Sequence, residues 1–253
     1  MRGRDRPRLG LRLLLGLMLA LASCREGRGA EVRMLAASSL TDVLEDLAAH
    51  FHRDHPEVRV VLGFAGSQTL RFQIEQGAET DVYASASPEH VDALEAAGYI
   101  ESRQPLSTDE VVVAVSADSP IRDLAGLAQV ERFVLGVEAV PIGHYGREVL
   151  AKMPKPLALA IERRVVSLEL NVRAIRAKLA LGEADAAFLY ASDVRDAQPG
   201  LRSFRLPEPL RVKARHELGV LHPKRPEVRA WVEYLISDAA DEVFEAHGLG
   251  RPE

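Results

Sequence analysis

A chain of 253 residues, 47% hydrophobic and 27% charged, can bury one large core or two of ordinary size. That excludes a disulfide-stapled mini-domain and a disordered chain. A formal net charge of −5 also excludes the clustered basic excess that a nucleic-acid surface requires.

The N-terminus carries Arg2, Arg4, Arg6, Arg8 and Arg12 against Asp5, then the apolar run LLLGLMLALAS ending at Cys24. A run of about 11 residues is too short to span the hydrocarbon of a bilayer as a helix, and basic-then-apolar is the order of a secretory signal. There is no Arg-Arg pair, so the general secretory route is expected. Cys24 is the only cysteine and closes Leu21-Ala22-Ser23-Cys24, which resembles a bacterial lipobox. Residues 1–23 then read as a lipoprotein signal, with Cys24 taking the lipid in the cell envelope. The alternative is a soluble periplasmic protein with a chance cysteine at the junction. Removal of residues 1–23 leaves a mature charge of about −9 and no thiol for a disulfide, so packing alone must hold the fold.

From residue 31 onward, short β-branched runs alternate with helical periods, the pattern of α/β sheets flanked by helices. VRMLAA (32–37) reads as a strand, and SLTDVLEDLAAHF places Leu40, Val43, Leu44, Leu47, Ala48 and Phe51 at helical spacing. VRVVLGF (58–64) is the next strand, and TLRFQIEQG a helix stopping at Gly77. Residues 81–85 form a short buried strand, and PEHVDALEAAG a helix from Pro88 to Gly98. EVVVAVSADSP (110–120) is a continuously apolar strand, followed by FVLGV (133–137), helices near 143–152 and 172–181, and AAFLY (186–190). A Pro-rich polar stretch, Gln198 to Pro209, leads to a strand at HELGVL (216–221), and residues 226–248 read as an amphipathic helix pair. The order fits two α/β lobes, 28–110 plus 216–253 and 111–215, with crossings near Ser107–Val111 and Arg211–Glu217. A ligand would lie in the cleft between them, at the carboxyl ends of the strands.

The informative residues sit where strands give way to helices. Ser38 and Ser39 precede the first helix, and Asp42 completes a capping-box-like Ser-x-x-Asp. Gly66-Ser67-Gln68-Thr69 repeats the arrangement after the second strand. Two hydroxyl-bearing helix starts on adjacent parallel strands point at one spot. Free N–H groups and about half a positive charge at each would hold an anion without Lys or Arg. A third turn is Val140-Pro141-Ile142-Gly143-His144-Tyr145-Gly146, and a fourth is Asn171-Val172-Arg173 with Asn171 as N-cap. Tyr190 offers a phenol at the tip of AAFLY.

At these residues the sequence resembles the periplasmic molybdate-binding proteins, the substrate-binding components of molybdate ABC transporters. The resemblance is carried by AASSLTDVL, FAGSQTLRFQIEQGAETDVYASA, VPIGHYGREVL, NVRAIRAKLALGEADAAFLYASD and EVFEAHG, in the family's order and spacing across nearly all of residues 31–249. It implies a two-lobed type II periplasmic-binding-protein fold that acts as a monomer and is not an enzyme. The implied ligand is molybdate or tungstate, with no cofactor and no metal cation, and the implied partners are an ABC permease and its cytoplasmic ATPase. It implies that the oxyanion is held by the hydroxyls and amides of Ser39 and Ser67, the amides of Ile142 and Val172, and the hydroxyl of Tyr190. Two positions depart from the family: Ile142 stands where Ala is common, and His216 stands where Tyr or Pro is usual.

A fully deprotonated tetrahedral dianion offers only acceptors, so hydroxyls and amides satisfy it. Hydrogen phosphate carries a proton that needs an acceptor, and none of the five residues supplies a carboxylate for it. Asp42 and Asp193 lie near the motifs and are expected to cap. The alternatives are a receptor for another tetrahedral oxyanion such as sulfate, or a metal-cation transport protein built on His50, His52 and His55, which fall at a helix end where a solvated face is the simpler reading. An acyl hydrolase lacks its Gly-x-Ser-x-Gly elbow. A transcription-regulator effector domain would need a DNA-binding segment where the signal stands. His144, inside the third turn, reads as either a rim or a surface residue.

Overall fold

The computed structural model describes residues 30–195 and 200–252; the signal segment and Cys24 lie outside them. Strand β1 (Ala30–Ala37) passes through a 3-10 turn (Ser38–Leu40) into α1 (Thr41–Asp54). Strand β2 (Val58–Ala65) leads into α2 (Ser67–Glu75), and β3 (Val82–Ser85) into α3 (Pro88–Ala96). The long β4 (Ser102–Ser116) is followed by β5 (Phe133–Gly136), α4 (Pro141–Lys152) and α5 (Lys155–Glu162). Then come β6 (Val165–Glu169), α6 (Val172–Ala180), β7 (Ala186–Tyr190), β8 (Leu201–Arg205) and β9 (Lys213–Val220). Helices α7 (Pro226–Leu235) and α8 (Asp238–Ala246) close the chain.

The strands run in the order β2-β1-β3-β9-β4-β7-β5-β6, with β8 on the other side of β4. Two parallel blocks, β2-β1-β3 and β6-β5-β7, are joined by antiparallel pairings to β4 and β9. Strand β4 joins the two blocks. Its first part, Ser102 to Glu110, pairs with β9, and its second, from Val111, pairs with β7 and β8. One strand therefore serves two sheets, and two lobes result. The first is built on β1–β3 with α1–α3, α7 and α8, and the second on β5–β8 with α4–α6.

Each lobe has its own core. In the first, Val32, Met34, Leu44, Leu47, Phe51 and Trp231 are buried together. The Phe51 ring meets the Trp231 ring edge-on at 5.1 Å, and the Trp231 indole N–H donates to Met34 Sδ at 3.3 Å. In the second, the apolar half of β4 packs with Phe133, Phe188, Ile142 and Val172. The parallel strands β5 and β7 are apolar at every position because helices cover both faces. Gly77 and Gly98, at the ends of α2 and α3, both take positive φ, as helix stops do.

The structure corrects three expectations. The strand expected over 110–120 begins at Ser102 and ends at Ser116, and its polar first half is held by pairing to β9 rather than by apolar periodicity. The Pro-rich stretch expected over 198–209 contains β8, whose residues pair with β4 from Val112 to Ser116. The interval after α4 holds a further helix and strand, α5 and β6. No described helix is long and apolar enough to cross a membrane.

Candidate functional site: a charge-free cavity between the lobes

Four strand-to-helix turns meet in the cleft: β1 to α1 and β2 to α2 from the first lobe, β5 to α4 and β6 to α6 from the second. Together with the end of β7 they line one small cavity, which includes Ser39, Ser67, Ile142, Val172 and Tyr190. All five residues singled out in the sequence are brought together there, and each is no more than 5% exposed. The space open to the centre of a water-sized sphere is about 10 Å³, too little for a sugar or nucleotide with the lobes in this position.

Ser67 opens α2 and Val172 opens α6, while Ile142 follows Pro141 at the start of α4. Backbone N–H groups in a first helical turn have no carbonyl one turn earlier to bond, so they remain available to a ligand, and the helix dipole adds partial positive charge. Asn171 is the N-cap of α6, as expected, and its side chain accepts from the Ala174 amide at 2.9 Å. The side chains of Ile142 and Val172 belong to the second-lobe core, so these residues face the cavity with backbone. The α4 turn sits very close to β5: a Cβ on Gly143 would overlap the carbonyl oxygens of Gly136 and Val137, and only glycine permits that approach.

The hydroxyls are of two kinds. Ser67 Oγ accepts from the Ala86 amide at 3.1 Å, which leaves its O–H to donate. The buried Ser39 Oγ and Tyr190 hydroxyl have no hydrogen-bond partner in the protein. A buried hydroxyl without a partner costs roughly 1–3 kcal/mol, so two on one cavity mark a surface organised around something that accepts hydrogen bonds. Burial pushes the Tyr190 phenol well above its ordinary pKa, so it stays a donor. Among the described residues lining the cavity there is no carboxylate, Lys, Arg or His.

Around this neutral lining lies a charged and polar shell. Arg173, next to Val172 on α6, crosses the cleft: its Nε donates to the Ser38 carbonyl at 3.0 Å and its Nη2 to Asp42 at 2.8 Å. Asp42 is thus committed to Arg173, and the 3-10 turn places Ser39 away from any cap bond, which corrects the expected capping box. Asp193 does not cap either. It is buried behind the cavity, with Oδ1 3.4 Å from Arg173 Nε. His216 is buried, with Nδ1 2.9 Å from Ser107 Oγ, and burial lowers its pKa to about 4, so it is neutral. Its ring meets that of Tyr190 edge-on at 6.2 Å. His144 is exposed on α4 and is not in the lining. Two of the three histidines at the end of α1 are held locally: His55 stacks on Phe51 at 4.4 Å, and His52 Nδ1 lies 3.3 Å from the Val58 carbonyl. Arg173 was legible in the sequence only as the residue after a donor, since its hydrogen-bond partners across the cleft, Ser38 and Asp42, lie more than a hundred positions away.

The sequence profile described as bacterial extracellular solute-binding protein matches residues 32–250. The chain belongs to that family. Among similar proteins, the solute-binding protein is 30% identical over 227 residues to the putative ABC transporter substrate-binding lipoprotein YvgL of Bacillus subtilis, covering 85% of this chain and 84% of that one. It is 29% identical over 253 residues to the molybdate-binding protein ModA of Escherichia coli, covering 94% and 97% of the two chains. The periplasmic molybdate-binding protein of Azotobacter vinelandii superposes with a TM-score of 0.76 at 22% identity, over 88% of this chain and all of that one. The sulfate-binding protein SubI of Mycobacterium tuberculosis gives 0.73 at 14% identity, over 88% of this chain and 87% of that one. These likenesses establish an α/β two-lobed periplasmic-binding-protein fold for the solute-binding protein.

Proposed function

We propose that this chain is the extracytoplasmic receptor of a molybdate ABC transporter. It captures molybdate, and tungstate with it, and delivers the ion to a membrane permease served by a cytoplasmic ATPase. One observation carries the ligand class: two buried hydroxyls without partners, Ser39 Oγ and Tyr190 OH, on a cavity ringed by helix N-termini and free of charged side chains. Ser39, Ser67, Ile142, Val172 and Tyr190 supply donors and no carboxylate to take up a ligand proton, which suits a fully deprotonated tetrahedral dianion and disfavours hydrogen phosphate. The similarity to molybdate-binding relatives over almost the whole chain supports this choice among oxyanions.

In this reading the first lobe, residues 28–110 and 216–253, brings Ser39 and Ser67, and the second, residues 111–215, brings Ile142, Val172 and Tyr190. Anion contacts from both sides coexist only in the closed arrangement, so binding shifts the population toward it. The protein acts as a carrier rather than an enzyme, as a monomer, tethered after cleavage before Cys24 by a lipid on that residue. The lipoprotein name of the Bacillus subtilis relative supports the tether. Isothermal titration of residues 25–253 with molybdate, tungstate, sulfate and phosphate in one buffer tests the ligand. Heat from the first two and none from the others is expected. Sulfate binding of equal strength would transfer the reading to a general dianion receptor, and silence from all four would end it. Globomycin-sensitive processing and loss of [³H]palmitate labelling in Cys24→Ser test the tether.

A further inference from the structure

The two lobes touch around the cavity through side chains that each grip a backbone carbonyl of the opposite lobe. From the second lobe, Arg173 donates to the Ser38 carbonyl at 3.0 Å and to Asp42 at 2.8 Å. From the first lobe, Gln68 Nε2 donates to the Leu170 carbonyl at 2.8 Å. The grips are reciprocal, and each lies beside a proposed anion donor. Ser38 precedes Ser39, Gln68 follows Ser67, and Arg173 follows Val172.

Gly66 lies at the same seam. Its φ of −65° and ψ of 140° are ordinary for any residue, so its backbone conformation does not call for glycine. The space does. A Cβ built on Gly66 would overlap the Leu170 carbonyl oxygen of the other lobe and crowd the Gln68 amide at 2.7 Å. Nothing within the first lobe other than the neighbouring Gln68 side chain is met so closely. The obstacle therefore exists when the lobes are together and is relieved when Leu170 moves away.

We propose that Gly66, Gln68 and Arg173 are positioning residues for closure: Gly66 lets the α2 turn seat against the Leu170 carbonyl, and the two reciprocal grips fasten the lobes so that donors from both sides reach one oxyanion. This rests on the receptor reading above and adds to it the residues that set the closed geometry. Arg173 keeps its charge out of the cavity by spending it on Asp42, the Ser38 carbonyl and the buried Asp193. A grip of this kind strengthens binding without adding a contact to the ligand, because a ligand's apparent affinity is scaled by the population of the competent state.

The test measures molybdate affinity and dissociation rate, small-angle scattering with and without molybdate, and the melting temperature of the ligand-free protein, in the full mature chain. Gly66→Ala is expected to weaken affinity by about tenfold or more, to abolish the contraction that molybdate induces in the wild type, and to leave the ligand-free melting temperature unchanged. Gln68→Ala, which releases its grip on the Leu170 carbonyl, and Asp42→Ala, which loosens the Arg173 grip while leaving its bond to the Ser38 carbonyl and its contact with Asp193, are expected to speed dissociation by roughly three- to tenfold. A role confined to folding of the first lobe would instead lower the ligand-free melting temperature. Wild-type affinity and contraction in Gly66→Ala overturn the seating role, and wild-type dissociation in both other variants overturns the grips. If the wild type itself binds no tetrahedral oxyanion, the receptor reading fails; if it binds and contracts while the variants match it, only the closure proposal fails.

Discussion

The cavity between the lobes and the groove at the far end of the first-lobe sheet differ in opposite senses in size and in chemistry. The groove, lined among others by Arg33, Glu79, Asp81, Tyr99 and Arg225, offers about 700 Å³ to a water-sized sphere, against about 10 Å³ in the cavity. It is rich in charge, yet its charges are spent on one another. Arg33 bonds Glu31 and Glu79, and Arg225 bonds Asp81 at 2.5 Å and Glu227 at 2.6 Å. The cavity lining holds no charge, and the hydroxyls of Ser39 and Tyr190 on it are unspent. Binding capacity follows from donors without partners, because an unpaired buried donor has a desolvation cost that a ligand can recover. Volume and charge count mislead here.

The sharpest way to break this contrast is to remove the unspent donors. Ser39→Ala and Tyr190→Phe are each expected to cost about 1–3 kcal/mol of molybdate binding, and the double variant to bind too weakly for titration calorimetry. Neither should lower the ligand-free melting temperature, since each deletes a buried hydroxyl without a partner. Retained affinity in both singles would remove the site.

The groove is expected to answer in the other currency. Asp81 is buried and accepts from the Arg33 amide at 2.8 Å as well as from Arg225. Asp81→Ala should therefore cost about 1–3 kcal/mol of folding stability in urea denaturation while leaving molybdate affinity where it was. A change in affinity with unchanged stability would reverse the assignment of the two regions.

A third effect, smaller, concerns the buried acids behind the cavity. Burial pushes Asp109 up to about 7 and Asp193 up to about 6, the latter although Arg173 and Arg176 favour its ionised form. Asp109 accepts from the amides of Glu110 at 2.8 Å and Ser192 at 3.4 Å. An Asp in the unfolded chain titrates near 3.9, roughly, so the folded state binds these protons more tightly than the unfolded one. Their contribution to stability is fully present below about pH 4 and is lost as pH rises through about 6 to 7. Buried His216, with its pKa lowered to about 4, contributes in the opposite sense over the same range. The decline is therefore read as a difference: urea midpoints of wild type minus those of Asp109→Asn, from about pH 4.5 to 7.5, should fall as pH rises, and a flat difference would clear Asp109 of the effect. Smallest of all, His144→Ala, at an exposed position on α4, should stay within about 0.5 kcal/mol of wild type in both stability and binding.

The fold was legible wherever a segment's own periodicity reports its burial. Strands β5 and β7 are apolar at every position because both faces are covered, and α1 shows its buried stripe Val43, Leu44, Leu47 and Phe51 directly. It was illegible where pairing alone makes the strand. The first half of β4 and all of β8 are polar or mixed, and they are strands because β9 and β4 lie beside them.

The sequence by itself determined that four helix starts and one tyrosine carry the candidate donors, because small residues, hydroxyls, prolines and an N-cap at strand ends are local signals of where backbone N–H groups go unspent. Tertiary structure alone decided the rest. It decided which hydroxyls lack partners, that Asp42 answers Arg173 instead of capping Ser39, that His216 is neutral against Ser107, and that Gly66 is needed for space and not for conformation. Each of these depends on an atom brought close from a distant part of the chain, and no periodicity or spacing within one segment records such an encounter.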